Sequence, residues 1–224
     1  IVSFEHMGIV APIDDLISEI KPDLASVDLV DRMRLPGDPH YYAMPFDSGT
    51  RFFVVNVDIL KKAGVSDEMI ENMKTGNWTV DDFYELAKKC ALDTDGDGTV
   101  DTWFFVYPGA TRAVSQFAQW LWIFGCPYGP IDGPFGKPIL NSTAVLDTVK
   151  FLASLAPYMA PGFEAVDDQS SFWYTGHMAF HFFDSFYDML TLMPEKYPEI
   201  NWTVVTPPVG PTGSPEIYGW ACYF

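Results

Sequence analysis

Four aspartates lie within one short stretch of the sequence, DTDGDGTVD at residues 93–101. Aspartate occupies positions 1, 3, 5 and 9 of this loop and glycine occupies position 6, which matches the first part of a calcium-binding loop. A hard cation takes roughly six to eight oxygen ligands, and this spacing turns alternate side chains towards one point. We therefore predict a structural Ca²⁺ site, which we refer to as the aspartate loop. Its predicted ligands are Asp93, Asp95, Asp97, Asp101 and the backbone carbonyl of Thr99.

The aspartate loop departs from an EF-hand at position 12, where Phe104 replaces the bidentate acid. Another carboxylate or a water molecule must then complete the coordination, and an acidic, solvated turn without a metal stays open as the alternative. A second candidate, His177 with His181, has helical zinc spacing. The surrounding residues favour a strand there and no third ligand is evident, which disfavours a zinc site.

Other chemistries find little support in the sequence. Cys90, Cys126 and Cys222 lie too far apart for a zinc motif or a disulfide framework, and no nucleophile, Walker or dinucleotide motif is present. Thirty acidic residues face 13 basic ones, for a net charge of −17. Such a surface repels phosphate backbones, so we expect no nucleic-acid partner. No apolar run is long enough to span a bilayer.

Apolar periodicity predicts strands that alternate with helices, which is typical of an α/β fold. The clearest helix has capping-box spacing between Thr79 and Asp82. Residues 45–50 are turn-prone, and the helix after Ser142 is expected to turn Val145, Val149, Leu152 and Leu155 inward. The predicted helices cover residues 9–20, 58–62, 79–91, 112–124, 142–156 and 184–193. The predicted strands cover residues 41–44, 51–57, 102–107, 176–182, 201–205 and 218–224, with a hairpin near residues 132–133.

Several short segments, weak singly, form a recognisable series in their order and spacing. They are APIDDLI (11–17), YAMP (42–45), VNVDILKKAG (55–64), NWTVDDFYELAKK (77–89), LNSTA (140–144), YTGHMAF (174–180), PPVG (207–210) and GW (219–220). Taken together they resemble the family 1 extracellular solute-binding proteins, the maltose-binding-protein-like components of bacterial ABC sugar importers. The resemblance covers essentially the whole chain. Val55 and His177 depart from it, because the family usually has tyrosine and lysine there.

The resemblance implies a type II periplasmic-binding-protein-like fold, with two α/β lobes joined by crossing strands. The crossings are expected near Pro45–Thr50 and Thr206–Gly210. Residues 50–206 would form the C-terminal lobe, and residues 1–49 with 207–224 would form an incomplete N-terminal lobe. The opening and closing segments of the family have no counterpart here, so we expect a fragment of a longer chain.

The function implied by the resemblance is the capture of a mono- or oligosaccharide between the two lobes and its delivery to an ABC transporter permease. Such a protein is not an enzyme. It is expected outside the cytoplasm as a monomer, in the periplasm or held on the outer face of the membrane by a lipid anchor beyond this chain. The alternatives are a sensor or scaffold that reuses the fold, a secreted carbohydrate-active enzyme, or a receptor for another polar solute such as a glycerophosphodiester.

The predicted ligand contacts follow from position, because open α/β sheets bind ligands beyond the ends of their strands. The aromatic residues at the ends of elements are expected to stack on sugar rings, and the carboxylates are expected to accept hydrogen bonds from sugar hydroxyls. Phe186 and Trp220 are expected to stack on the sugar, and Asp47 and Asp184 are expected to accept hydrogen bonds from its hydroxyls. The full set is Asp47, Ser48, Gly49, Tyr107, Arg112, Trp120, Asp184, Ser185, Phe186 and Trp220.

Overall fold

A computed structural model of the chain describes residues 7–20, 34, 37–50, 52–107, 113–126, 137–162, 170–183, 188–212 and 219–223. The chain divides into two compact units. The first comprises Ile1–Gly49, Gly133–Gly136 and Gly219–Phe224, and the second comprises Thr50–Asp132 and Lys137–Tyr218. The chain therefore returns to the first unit after Tyr218, later than the expected crossing at Thr206–Gly210.

Helices and strands alternate along the described residues. The helices are α1 (Asp14–Ile20), α2 (Val57–Lys62), α3 (Asp67–Thr75), α4 (Val80–Lys89), α5 (Ala113–Ile123), α6 (Thr143–Leu155), α7 (Ser170–Tyr174) and α8 (Met193–Lys196). A 3₁₀ turn at Ala156–Tyr158 follows α6, and a π-helical turn at Asp188–Leu192 precedes α8. The strands are β1 (Pro45–Thr50), β2 (Phe52–Asn56), β3 (Phe180–Phe183), β4 (Trp202–Val205) and β5 (Gly219–Tyr223).

In the first unit, β1 pairs with β5 in a two-stranded sheet. The sequence predicted a strand at residues 41–44 and a turn at residues 45–50, and both predictions are wrong. Pro45 opens β1, a position where a missing N–H removes no necessary ladder bond. Helix α1 begins with Asp14 and Asp15, whose charges favour a helix N-terminus, and it buries none of its residues.

The second unit is built on a three-stranded antiparallel sheet of order β3-β2-β4. The central strand β2 pairs Phe52 with Phe183 and Val55 with Phe180. Its other side pairs Phe53 with Val205 and Asn56 with Trp202. The predicted strands at residues 51–57, 176–182 and 201–205 are thus confirmed, with small shifts of their ends.

Residues 102–107, predicted as a strand, run parallel to β3 along its free side. Trp103 and Met178 form a parallel bridge. The N–H groups of Ala179 and Phe180 donate to the carbonyls of Trp103 (2.9 Å) and Phe104 (2.7 Å). This pairing is shorter than predicted, but it extends the sheet by one more segment.

Successive side chains of β2 and β3 enter two different cores, as the pleat of a strand requires. Phe53, Val55, Phe180 and Phe182 join a large cluster under α4 and α5. Val54 faces a second cluster on the opposite side of the sheet, which contains Trp103, Trp173, Met178, Met189 and Met193. The sheet is therefore covered on both faces, which explains the nearly continuous apolar sequence of β2.

Phe83 of α4 is the centre of the larger core. Its ring meets the rings of Phe104, Trp120 and Phe180 edge-on, with centroids 4.8, 4.9 and 5.0 Å away. Phe83 is completely buried. One side chain thus joins α4 to the sheet, to the segment at residues 102–107 and to α5.

The ends of α4 agree with the sequence. The Thr79 hydroxyl accepts from the N–H of Asp82 (3.2 Å), and the Asp82 carboxylate accepts from the N–H of Thr79 (2.8 Å). The predicted capping box is confirmed, with aspartate in place of the usual Glu or Gln. The predicted helices at residues 58–62, 112–124 and 142–156 are also confirmed as α2, α5 and α6. Among the described residues, the sequence missed α3 and α7. The helix predicted at residues 184–193 corresponds at residues 188–192 to the π-helical turn, and α8 continues from Met193 to Lys196.

Helix α6 is rotated relative to the prediction. Val145 and Leu155 are buried as expected, but Val149 is 49% exposed and Thr148 is fully buried in its place. The Thr148 hydroxyl donates to the carbonyl of Ala144 at 2.8 Å, so its burial leaves no unpaired donor. Residues 184–187 and the predicted hairpin near residues 132–133 lie outside the described residues.

The return segment, which we define as Thr206–Gly210, is held tightly within the second unit. The N–H of Thr206 donates to the Met73 carbonyl (2.9 Å), and the N–H of Val209 donates to the Trp78 carbonyl (2.8 Å). The Trp78 indole donates to the Thr206 carbonyl at 3.2 Å. A Cβ on Gly210 would lie 1.7 Å from the Ile123 carbonyl oxygen, so only glycine fits where the segment passes the end of α5.

Replacing Phe83 with alanine should lower the free energy of unfolding by about 3–5 kcal/mol, because it leaves a ring-sized cavity between α4 and the sheet. Tyr84→Leu, on the adjacent and partly exposed position, is the control and should cost less than about 1.5 kcal/mol. Chemical denaturation followed by circular dichroism measures both. Equal losses for the two variants would contradict the central role of Phe83.

Gly210→Ala should destabilise the second unit by roughly 1–3 kcal/mol, because the new methyl group meets backbone that cannot rotate away. The same denaturation experiment measures the loss. A variant as stable as the parent would show that the return segment can shift away from α5 at little cost.

Candidate functional site

The aspartate loop is closed at its base by Leu92 and Thr102. The N–H of Leu92 donates to the Thr102 carbonyl (2.9 Å), and the N–H groups of Asp101 and Thr102 donate back to Leu92. The loop thus leaves α4 and returns directly into the segment that pairs with β3. Its position is fixed by the sheet, although its tip is exposed.

Three of the predicted metal ligands come together in the loop. Asp93, Asp95 and Asp101 each offer one carboxylate oxygen, and these oxygens lie within 4.8 Å of one another. Asp97 is not a member of this group, and its carboxylate instead accepts the N–H of Thr99 at 2.7 Å. The structure therefore groups three of the four predicted carboxylates.

Hydrogen bonds from backbone and side-chain donors lower the pKa of two carboxylates in the loop, those of Asp93 and Asp101. The N–H groups of Gly98 and Gly96 donate to Asp93 (2.8 and 2.6 Å) and lower its pKa. The Thr94 hydroxyl donates to Asp101 and lowers the pKa of that residue as well. Three carboxylates at this spacing can coordinate a hard cation such as Ca²⁺, with water or carbonyl groups supplying the other ligands.

The strand register brings the ends of several strands together at one end of the second sheet, which we call the proximal end. Here β2 begins at Phe52, β3 ends at Phe183 and β4 ends at Val205. Tyr107 lies at the same end, because residues 102–107 run parallel to β3. Its ring is half-buried, 6.3 Å from that of Phe105.

The predicted ligand contacts fall into three groups. Tyr107 lies at the proximal end, as described. Arg112, Asp184, Ser185 and Phe186 lie outside the described residues. The backbones of Asp47, Ser48 and Gly49 belong to β1, and that of Trp220 belongs to β5, so the first unit holds these four residues in one two-stranded sheet.

Trp120 is the predicted contact that the structure reassigns. It is fully buried, and its ring lies 4.9 Å from Phe83 and 5.1 Å from Phe151. The prediction that it stacks on a ligand is wrong here, because α5 turns this residue into the large core. Its position near the end of an apolar helix could not distinguish the two roles.

The two described cysteines do not have the character of catalytic thiols. Cys90 and Cys126 are free and buried. Burial raises the pKa of Cys90 to about 12 and also raises that of Cys126. Both thiols are therefore protonated at neutral pH, whereas a catalytic cysteine must be a thiolate to act as a nucleophile.

The comparisons with known proteins agree with this architecture. The family described as bacterial extracellular solute-binding protein matches residues 3–223 of the chain. This protein therefore belongs to the bacterial extracellular solute-binding proteins. No curated protein sequence was found to match the chain.

Three solved structures illustrate the likeness in fold. An ABC substrate-binding protein from Listeria monocytogenes in complex with cycloalternan has a TM-score of 0.71 at 17% identity, covering 97% of this chain and 52% of that one. MalE3 of T. maritima with bound maltose has a TM-score of 0.68 at 18% sequence identity, and the match covers 96% of this chain and 51% of that one. UgpB from Mycobacterium tuberculosis in complex with glycerophosphocholine has a TM-score of 0.68 at 19% sequence identity, and the match covers 99% of this chain and 51% of that one.

The fold is thus that of the type II periplasmic-binding-protein-like proteins, as the sequence predicted. The chain spans about half the length of these solved structures. Within the described residues, no helix has the length and hydrophobicity needed to cross a membrane.

If the aspartate loop binds calcium, Ca²⁺ should raise the melting temperature by several degrees, because a ligand that binds only the folded state stabilises it by mass action. Asp95→Asn should weaken Ca²⁺ binding about tenfold or more, because it removes one of three clustered charges but retains an acceptor for the N–H of Asp97. Isothermal titration calorimetry gives the affinities. Asp81→Asn, an exposed aspartate on α4, is the control. Equal melting temperatures with Ca²⁺ and with chelator would show that the loop is an acidic turn that does not bind calcium.

Proposed function

We propose that this protein is the substrate-binding component of a bacterial ABC importer and that its solute is a mono- or oligosaccharide. The family match over residues 3–223 carries the proposal, because it covers nearly the whole chain. The structural relatives with cycloalternan and maltose support a carbohydrate as the solute. The partner is then the transporter permease, and the protein acts outside the cytoplasm, in the periplasm or lipid-anchored on the outer face of the membrane.

At the proximal end, Tyr107 is the described residue best placed to contact the solute. A half-buried tyrosine offers an apolar ring face for stacking and a hydroxyl for hydrogen bonding. Asp184, Ser185 and Phe186 follow β3 in the sequence, and Arg112 precedes α5. We keep these four residues as predicted contacts from the second unit, and Asp47, Ser48, Gly49 and Trp220 as predicted contacts from the first.

The proposed role is binding without catalysis, by a monomer. The buried, protonated thiols of Cys90 and Cys126 are consistent with it. The net charge of −17 favours neutral or cationic solutes over anionic ones through long-range electrostatics. This is a physical reason to prefer a neutral saccharide to an anionic glycerophosphodiester. The net charge does not disfavour glycerophosphocholine, the ligand of the UgpB structure, because that compound is a zwitterion without net charge.

The test is a thermal-shift screen of the full chain with maltotriose, mannotriose, cycloalternan and glycerophosphocholine, followed by calorimetry of each compound that raises the midpoint. We expect a rise with at least one saccharide, because binding to the folded state alone shifts unfolding by mass action. Tyr107→Ala should then weaken binding about tenfold, the effect of losing one aromatic contact. Tyr158→Ala, a half-buried tyrosine packed against Tyr84, is the matched control.

The other outcomes are equally informative. A shift with glycerophosphocholine alone would replace the saccharide by a phosphodiester and leave the receptor role in place. A saccharide that is cleaved during incubation would favour a carbohydrate-active enzyme. No shift with any of the four compounds would contradict the proposed solute.

A further inference from the structure

The opposite end of the second sheet, which we call the distal end, carries an open hollow of about 490 Å³. Its wall is formed where residues 100–103 leave the aspartate loop and where α7 leads into β3. The residues that matter here are Asp101, Trp103, Phe172, Thr175 and His177. Trp103 and Tyr107 are four residues apart and the chain bends at Phe104, so at most about 14 Å separates their Cα atoms.

One side of the distal hollow is apolar and rigid. The rings of Trp103 and Phe172 meet at 5.7 Å and 89°, a favourable edge-on geometry. Trp103 belongs to the smaller core and is 8% exposed, whereas Phe172 is half-buried. Packing of Trp103 in the core holds the pair in place, so a ligand would not have to order these aromatic rings on binding.

The other side of the hollow carries hydrogen-bonding groups of three kinds. Asp101 has a carboxylate, which only accepts. Thr175 donates its hydroxyl proton to the Ser171 carbonyl (2.7 Å), which leaves its oxygen lone pairs as acceptors. Nδ1 of His177 is shielded from solvent and has no hydrogen-bond partner among the described residues, so the imidazole must turn towards the hollow before this nitrogen can bond to a ligand. His177 also lines a second hollow of about 220 Å³, next to Lys62 and Thr94.

This combination selects a chemical class of ligand. An imidazole with unsatisfied hydrogen-bonding capacity is best served by a hydroxyl group, which can both donate and accept and therefore suits either tautomer. Thr175 can accept from a donor, whereas the Asp101 carboxylate already accepts from the Thr94 and Thr102 hydroxyls and contributes its negative charge. The aromatic side requires an apolar face. An anion would be repelled by Asp101, and a hydrocarbon would leave the polar side unsatisfied.

We propose that the distal hollow is a second saccharide-binding site, which holds one pyranose ring. The C–H face of the sugar lies on Phe172 and the exposed part of Trp103, and its hydroxyls donate to Thr175 and bond to His177. The proposal shares no residue with the proximal end. It therefore stands or fails separately from the proposed function.

The test is a titration of the ¹⁵N-labelled full chain with maltotriose, mannotriose and sucrose, followed by NMR. We expect at least one sugar to shift the amide signals of residues 172–177 saturably. Thr175→Lys should weaken this binding at least tenfold, because a long charged side chain then occupies the mouth of the hollow. His177→Phe, which retains a ring but no nitrogen, should weaken it as well, and His177→Gln should restore part of the loss.

Thr75→Lys is a closely matched control. Thr75 is the last residue of α3, and Thr175 comes directly after α7. The Thr75 hydroxyl donates to the carbonyl four residues earlier (2.9 Å), as the Thr175 hydroxyl does, and each threonine is followed by a glycine with positive φ. It lines neither of the two hollows that contain His177. Thr75→Lys should therefore leave the shifts at residues 172–177 unchanged, and both lysine variants should melt at similar temperatures.

Two results would overturn the proposal. One is the absence of saturable shifts at residues 172–177 with all three sugars. The other is equal affinity in Thr175→Lys and the parent. Shifts confined to Tyr107 and its neighbours would support the proposed function and still overturn this second site, so the two failures are distinguishable.

Discussion

The packing around Phe83 is the constraint on which the second unit depends. Edge-on contacts of one ring with Phe104, Trp120 and Phe180 tie a helix, a second helix and the sheet to a single point. Cores are packed as densely as crystals, so none of these partners can shift alone without opening a void. Tyr107 at the proximal end packs against this cluster, whereas Trp103 and Phe172 at the distal end belong to the smaller core on the other face of the same sheet.

Local patterns were predictable from sequence because their causes are local. The Thr79–Asp82 capping box and the apolar run of β2 are examples. Residues 45–50 show the limit, since their Pro, Ser and Gly content is typical of a turn but pairing with β5 makes them a strand. The rotation of α6 has a similar origin: Thr148 can be buried because it bonds within its own helix, which apolar periodicity does not register.

The candidate sites divide in the same way. The carboxylate cluster of Asp93, Asp95 and Asp101 was predictable from their spacing, because these residues are close in sequence. Trp120 was misassigned because residue type and position in a helix do not reveal which way a ring points. The distal hollow was not predicted at all, since it joins α7 to a segment far away in the chain. The one local hint was His177, read as a possible zinc ligand.

The order of pairing in the sheet has a consequence for biosynthesis. The central strand β2 leaves the ribosome well before both of its partners, because β3 and β4 begin only at residues 180 and 202. Until then its apolar residues have no neighbouring strand, and pairing must wait for contacts that are distant in sequence. The nascent chain thus carries an unpaired, aggregation-prone apolar strand until β3 has been synthesised.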